Sequence, residues 1–191
     1  IHWSLAPLLA RSDLADIVVL IANRDEHWSA CRPVDSRVRT VEGGSTRAAS
    51  VINGLEALAD QADDDDWIIV HDAARPCLAA ADLDHLIRRL WDEPVGGLLA
   101  LPVADTLNRE AGGRVAGTVD RQRLWRALTP QMFRYGPLRA ALTATPDVTD
   151  ESAALERAGH RPVLVPGRGD NLKVTTQDDL AQATAILAAR G

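Results

Sequence analysis

Several residue types are scarce in this chain. Its 191 residues include two cysteines, one methionine, one tyrosine, one phenylalanine and, at position 173, a single lysine. Cys31 and Cys77 lie far apart with no CxxC spacing, which disfavours structural zinc and favours a reduced protein over a disulfide-bonded one. No apolar run reaches the roughly 18 residues needed to span a bilayer, and no secretory leader is read. A cytoplasmic location without membrane association is therefore expected. No GxxxxGK[ST] or GxGxxG pattern occurs, so neither a P-loop nor a dinucleotide-binding turn is present. No serine or cysteine has the context of a hydrolase elbow. The formal net charge of -6 argues against a nucleic-acid partner but leaves room for a local basic pocket.

The chain is 46% hydrophobic and 25% charged, an ordinary globular composition, and its length suits one domain or a domain with an appendage. It opens without methionine on a helical pattern, Leu5, Leu8 and Leu9, so a preceding segment is expected. The β-branched run 16–22 predicts a strand, 23–35 reads as irregular or weakly helical, and 37–41 as a further strand. Residues 48–59 follow as a helix with Val51, Leu55 and Leu58 on one face. An acidic loop at 63–66 precedes a strand at 67–70. A helix at 80–91 and a strand at 96–103 continue the alternation. Strands alternating with helices through short links predict an α/β fold, three-layer and mostly parallel.

At 105–121 the alternation breaks. Two polar segments flank Ala111-Gly112-Gly113, which predicts a hairpin. An isolated two-stranded ribbon is marginal, so this projecting arm is expected to order against a second subunit. Residues 124–128 fit a short helix or a strand, and 137–144 a helix. Thr149 or Asp150 is expected to cap a helix at 153–158. Strands are predicted at 161–165 and 172–174, and a closing helix at 178–189.

The chemistry concentrates where apolar runs stop. Trp67-Ile68-Ile69-Val70 ends in His71-Asp72-Ala73-Ala74-Arg75-Pro76. Ligands of open α/β sheets sit outside the carboxyl ends of the strands, so Asp72 offers a hydroxyl or Mg²⁺ ligand beside Arg75, an anion ligand. The two alanines let a substrate approach the backbone. Gly43-Gly44 leads into a helix bearing Arg47 and Ser50, a turn that can come close to a base or sugar. Thr106 ends the next strand, Arg121 closes the arm, and Lys173 can place one flexible charge on a phosphate. The set contains cations, an acid and hydroxyls but no nucleophile–base pair, which suits phosphoryl or nucleotidyl transfer.

These stretches together resemble the 2-C-methyl-D-erythritol 4-phosphate cytidylyltransferase family of the non-mevalonate isoprenoid pathway. The resemblance rests on 42–51, 70–77, 102–106, 118–121, Leu124 to Gln131, 149–153 and 170–175, and it covers essentially the whole chain. It implies a nucleotide-diphospho-sugar transferase type of fold and a homodimer built by arm exchange. It also implies CTP and methylerythritol phosphate as substrates, with Mg²⁺ as cofactor. Nucleotide contacts are implied at Gly43, Gly44, Arg47, Ser50 and Ala73. Substrate contacts are implied at Asp72, Arg75, Thr106, Arg121, Thr129, Thr149 and Lys173. Arg121 and Lys173 are implied to hold the attacking phosphate, and Asp72 is at most a weak metal ligand, because Mg²⁺ rides mainly on the CTP phosphates. The family's first strand and its triphosphate loop, of the kind AAGxGxRxxxxxPKQ, have no match, so 1–191 is expected to be one nucleotidyltransferase domain incomplete at its N-terminus. Two alternatives stand beside this reading: a cytidylyltransferase for another polyol phosphate such as ribitol 5-phosphate, and a non-catalytic nucleotide-binding remnant.

Overall fold

The computed structural model describes residues 1–190. Two parallel strands, β1 (Ile17–Ile21) and β2 (Val38–Glu42), form one small sheet. A second sheet has the order β3-β7-β4-β8, from β3 (Trp67–Val70), β4 (Gly96–Pro102), β7 (Trp125–Arg134) and β8 (Val163–Pro166). In it β3, β4 and β8 run the same way and β7 alone runs against them. Among the described residues β1 and β3 each pair with one strand, so each leaves an edge unpaired.

The helices cover the sheet on both faces, as the period-two alternation of β3 requires. Ile68 and Val70 pack with Val51 and Leu55 of α3 (Arg47–Glu56). On that side lie also Leu138 and Leu142 of α5 (Tyr135–Ala144) and Leu155 of α6 (Glu151–Arg157). Trp67 and Ile69 face the other way, toward Leu83, Leu86 and Leu90 of α4 (Ala80–Leu90). A third cluster joins Leu5 of α1 (His2–Leu9) to Ile17 and Val38. The remaining helices are the single turn α2 (Trp28–Cys31) and α7 (Gln177–Arg190). Of α7 only Ala183 is buried. No helix among the described residues is long and apolar enough to cross a membrane.

The arm is β5 (Leu107–Ala111) and β6 (Arg114–Val119), an antiparallel pair that joins neither sheet. Gly112 and Gly113 both take positive φ, 59° and 75°, as a two-residue turn of this hand demands. Every residue of β5 is exposed.

One sequence expectation needs correction, and one alternative is decided. Leu172-Lys173-Val174 is not a strand. The segment runs alongside the turn after β3, and the Val174 amide donates to the Ala74 carbonyl at 2.8 Å, a single bond where a ladder would need several. Of the helix or strand expected at 124–128, the strand is found: β7 starts at Trp125 and continues through Pro130 to Arg134. Pro130 is tolerated because the β4–β7 register shifts between Leu98 and Ala100, and a proline without an N–H fits such an irregularity.

Candidate active site

The site is built where β3 ends. The Arg75 amide donates to the Asp72 carbonyl at 2.9 Å and closes a tight turn. The turn is held from below by Thr129 of β7, whose Oγ1 accepts from the Asp72 amide at 3.0 Å and lies 3.1 Å from His71 Nδ1. His71 Nε2 faces the Arg75 carbonyl at 3.2 Å. A carbonyl only accepts, so Nε2 carries the proton, Nδ1 is the acceptor and the Thr129 hydroxyl donates to it. Burial pushes the His71 imidazole down to about 4, against the pull of the Arg75 carbonyl, so the ring is neutral near pH 7. Thr129 is thus buried with both sides of its hydroxyl engaged.

The Asp72 carboxylate meets three cations. Oδ1 accepts from Arg47 Nε at 2.9 Å, Oδ2 lies 2.9 Å from Lys173 Nζ, and Arg75 Nε is 3.9 Å from Oδ2. Burial raises the carboxyl, but Lys173 and Arg47 outweigh it and hold Asp72 below the ordinary carboxylate range. Asp72 is therefore an ionised acceptor, open to a hydroxyl donor. Arg75 is buried, and burial lowers its guanidinium. Its Nη1 donates to the Asn171 carbonyl at 2.8 Å, while its Nε has no hydrogen-bond partner. That Nε is buried and lies 3.9 Å from Asp72 Oδ2, so it is tied to the carboxylate by charge and not by a hydrogen bond.

The Lys173 segment is tied to the same frame. Asn171 Nδ2 donates to the Thr129 carbonyl at 2.8 Å. Asp170 accepts from Arg168 and from Arg190, which holds its carboxyl at about 2. Arg190 also donates to the Cys77 carbonyl at 2.9 Å, so one side chain of α7 joins the segment bearing Lys173 to the one bearing Asp72.

The glycine turn leads into the helix whose Arg47 reaches Asp72. Gly43 continues β2 by donating to the Ile21 carbonyl at 2.8 Å. A Cβ at Gly44 would sit 2.5 Å from the Ala49 Cβ, so only glycine allows this close approach to α3. Thr46 caps α3 by accepting from the Ala49 amide at 3.1 Å, as Thr does at an N-cap. Ser50 Oγ accepts from the Gly44 amide at 3.0 Å and donates to the Thr46 carbonyl at 2.8 Å. Ala73 is exposed, and its carbonyl accepts from Ser4 at 2.6 Å.

Arg47 opens α3 and reaches a partner that no sequence motif announces, Glu151. Its Nη1 and Nη2 donate to the two carboxylate oxygens of Glu151 at 2.6 and 2.9 Å, and Glu151 is 0% exposed. Burial pushes the Glu151 carboxyl up, while Arg47, drawn by Glu151 and Asp72, holds its proton more firmly than usual. Gln131 likewise carries no local sequence signal. Its amide donates to Asp150 Oδ2 at 2.9 Å and accepts from the Ser152 amide at 3.0 Å, which fastens α6 to β7. The cap of α6 is Asp150, accepting from the Ala153 amide at 3.0 Å, not Thr149.

Asp72, Arg75, Arg47 and Lys173 are thus brought together, with Thr129 beneath them and Gly43, Gly44 and Ser50 on the adjoining turn. Thr106, Arg121 and Thr149 are exposed. No ion pair or side-chain hydrogen bond among the described residues links them to Asp72. As a metal site the cluster fits poorly. Both Asp72 oxygens face cations, and no group of three or more His, Cys, Asp or Glu among the described residues is placed to hold an ion. A separate pocket of about 280 Å³ at the ends of β1 and β2, lined by Asn23, Asp25 and Glu42, does not include Asp72.

Comparison with known proteins gives a consistent result. The family model for 2-C-methyl-D-erythritol 4-phosphate cytidylyltransferase (IspD) matches residues 1–189. The chain is similar to the 2-C-methyl-D-erythritol 4-phosphate cytidylyltransferase of Dechloromonas aromatica, 53% identical and covering 100% of this chain and 85% of that protein. It is 54% identical to the protein of the same name from Pseudomonas entomophila, over 94% of this chain and 80% of the other. Among solved structures, a 4-diphosphocytidyl-2C-methyl-D-erythritol synthase superposes with a TM-score of 0.91 at 38% identity, covering 97% of this chain and 89% of that one. The Francisella tularensis 2-C-methyl-D-erythritol 4-phosphate cytidylyltransferase superposes with a TM-score of 0.85 at 31% identity, covering 96% and 86%.

Proposed function

The chain belongs to the 2-C-methyl-D-erythritol 4-phosphate cytidylyltransferase family, and on that premise we propose that it converts CTP and 2-C-methyl-D-erythritol 4-phosphate to 4-diphosphocytidyl-2-C-methyl-D-erythritol and pyrophosphate at the pocket around Asp72. The observation that carries this reading is the ionised Asp72 held between Lys173 and Arg47, with the Arg75 guanidinium as a third cation beside it. One acceptor for a polyol hydroxyl and several cations for phosphate are what a sugar-phosphate nucleophile requires.

In the proposed reaction a 4-phosphate oxygen attacks the α-phosphorus of CTP, the bond from that phosphorus to the bridging oxygen breaks, and pyrophosphate leaves. The nucleophile is already anionic, so no strong base is needed, which agrees with a neutral His71 engaged in holding the turn. Lys173 and Arg121 hold the attacking phosphate, and Asp72 and Arg75 orient the polyol. The turn at Gly43 and Gly44, with Ser50, Arg47 and Ala73, receives the nucleotide. Mg²⁺ enters as part of the nucleotide substrate rather than through Asp72, whose oxygens face cations.

Thr106 and Arg121 flank a hairpin that belongs to neither sheet. We therefore place them, with Thr149 at the rim, in a pocket completed by the arm of a second copy in a homodimer. A cytoplasmic location accords with a reaction between small soluble phosphates. The test is CTP turnover by the full chain with methylerythritol phosphate and with ribitol 5-phosphate. Turnover confined to the first supports the proposal, turnover of the second alone reassigns the substrate, and turnover of neither with retained CTP binding leaves a nucleotide-binding protein.

A further inference from the structure

Glu151 is the most deeply buried charged group near the site, and the proposed reaction gives it no task. It stands at the first position of α6, directly after the capping Asp150. The backbone there has little freedom, because Gln131 is itself buried and bridges Asp150 and the Ser152 amide. The carboxylate is therefore delivered to a fixed point. Both of its oxygens are spent on Arg47. A buried carboxylate deprived of its partner is strongly unfavourable, so Glu151 compels the Arg47 guanidinium to stay in one plane. With Nη1 and Nη2 committed, Nε points at Asp72 Oδ1 at 2.9 Å. Lys173 takes the other oxygen. The four side chains alternate in sign: Glu151, Arg47, Asp72, Lys173.

We propose that Glu151 is a positioning residue for the polyol phosphate: acting through Arg47, it fixes the plane of the Asp72 carboxylate, so that the site accepts a hydroxyl from one direction. This rests on the reading of the Asp72 pocket as the polyol-phosphate site. A rigid fork matters here because Arg47 has five N–H groups, three of which are used in this arrangement. A guanidinium freed from Glu151 can turn any of its edges to Asp72, and the carboxylate loses its single orientation. A lysine at position 47 lacks the fork and cannot bridge the two carboxylates in one plane.

A structural ion pair and a positioning residue predict different results. Glu151→Gln keeps the shape and removes the charge. It is expected to raise KM for methylerythritol phosphate about tenfold or more and KM for CTP by a smaller factor, because the nucleotide is also received by the Gly43-Gly44 turn and Ser50 whereas the Asp72 carboxylate has Arg47 on one oxygen. In the double variant Arg47→Met with Glu151→Leu both buried charges go. Stability is then expected to recover toward wild type, as apolar replacements of buried pairs often do, while the polyol-phosphate defect persists. NMR of the Arg47 Nε–H gives a readout independent of turnover: a slowly exchanging resonance in the wild type that is lost in Glu151→Gln. An unchanged KM for the polyol phosphate in Glu151→Gln overturns the proposal, as does a KM defect that disappears when stability is restored. If the wild type turns over neither polyol phosphate, the functional reading fails. The resonance then decides the positioning separately: its loss in Glu151→Gln supports the role of Glu151 in orienting Arg47, and its persistence overturns it.

Discussion

Lys173 Nζ lies 2.9 Å from Asp72 Oδ2, which sets the chain's single lysine against the acid that ends β3. The contact is half open: the lysine side chain is 43% exposed and the aspartate 13%. The ammonium is therefore reachable from solvent while it holds Asp72 ionised, as the proposed phosphate site requires.

Replacing Asp72 by Asn preserves the shape and removes the charge that gathers Lys173 and Arg47. The expected outcome is a drop of about 10²-fold in kcat/KM for methylerythritol phosphate, the scale of losing a charge-assisted contact made in the transition state. Steady-state kinetics with the polyol phosphate varied checks this, and wild-type values would remove Asp72 from the pocket.

Arg121 follows the exposed arm, and no acid in the chain is within ion-pair distance of it among the described residues. Arg121→Ala is expected to raise KM for methylerythritol phosphate while leaving the melting temperature within about 2 °C, because exposed side chains contribute little to stability. Kinetics indistinguishable from wild type would remove Arg121 from the phosphate site.

Thr129 serves the Asp72 amide and His71 at once. Thr129→Val keeps the volume and leaves two buried groups unpaired, so a loss of about 1–3 kcal/mol in unfolding free energy is expected. Denaturant titration measures it. Thr129→Ser, which keeps the hydroxyl, is expected to recover most of the loss.

His71 makes stability depend on pH in a stated direction. Its folded value is about 4 against 6.5 for the free side chain, so between these values the unfolded chain binds a proton that the folded chain does not. The contribution is fully present above about pH 6.5 and is lost as pH falls toward 4, by about 3 kcal/mol. Melting temperatures of wild type and His71→Gln across this window are expected to converge as pH falls. Parallel curves would mean that folding leaves the His71 pKa unchanged.

Some features were legible because their causes are local. The strand at 67–70, the helix that follows the Gly43-Gly44 turn and the Gly112-Gly113 hairpin all follow from short-range pattern, and the hairpin also from φ values that favour glycine. Asp72, Arg75, Arg47 and Lys173 could be nominated because charged residues stood where apolar runs stopped. Glu151, Gln131 and Asn171 could not be recognised in the same way. A buried polar residue has no local periodicity to announce it, and Glu151 in the sequence looks like any acid in the first turn of a helix. Residues 172–174 misled for the opposite reason: an apolar–charged–apolar triplet imitates a strand, but its backbone is taken up by the turn at Ala74.

The amino-acid sequence by itself determined the α/β alternation, the positions of the turns and the set of motifs that marks the family, because each depends on residues near one another along the chain. The tertiary structure alone decided which charge meets which. Arg47 is shared between Asp72 and Glu151, and Lys173 is given to Asp72. The Thr129 hydroxyl is spent beneath the pocket. Those pairings join segments distant in sequence, and their strength depends on burial and on distances of a few ångströms that only the packed sheet and helices set.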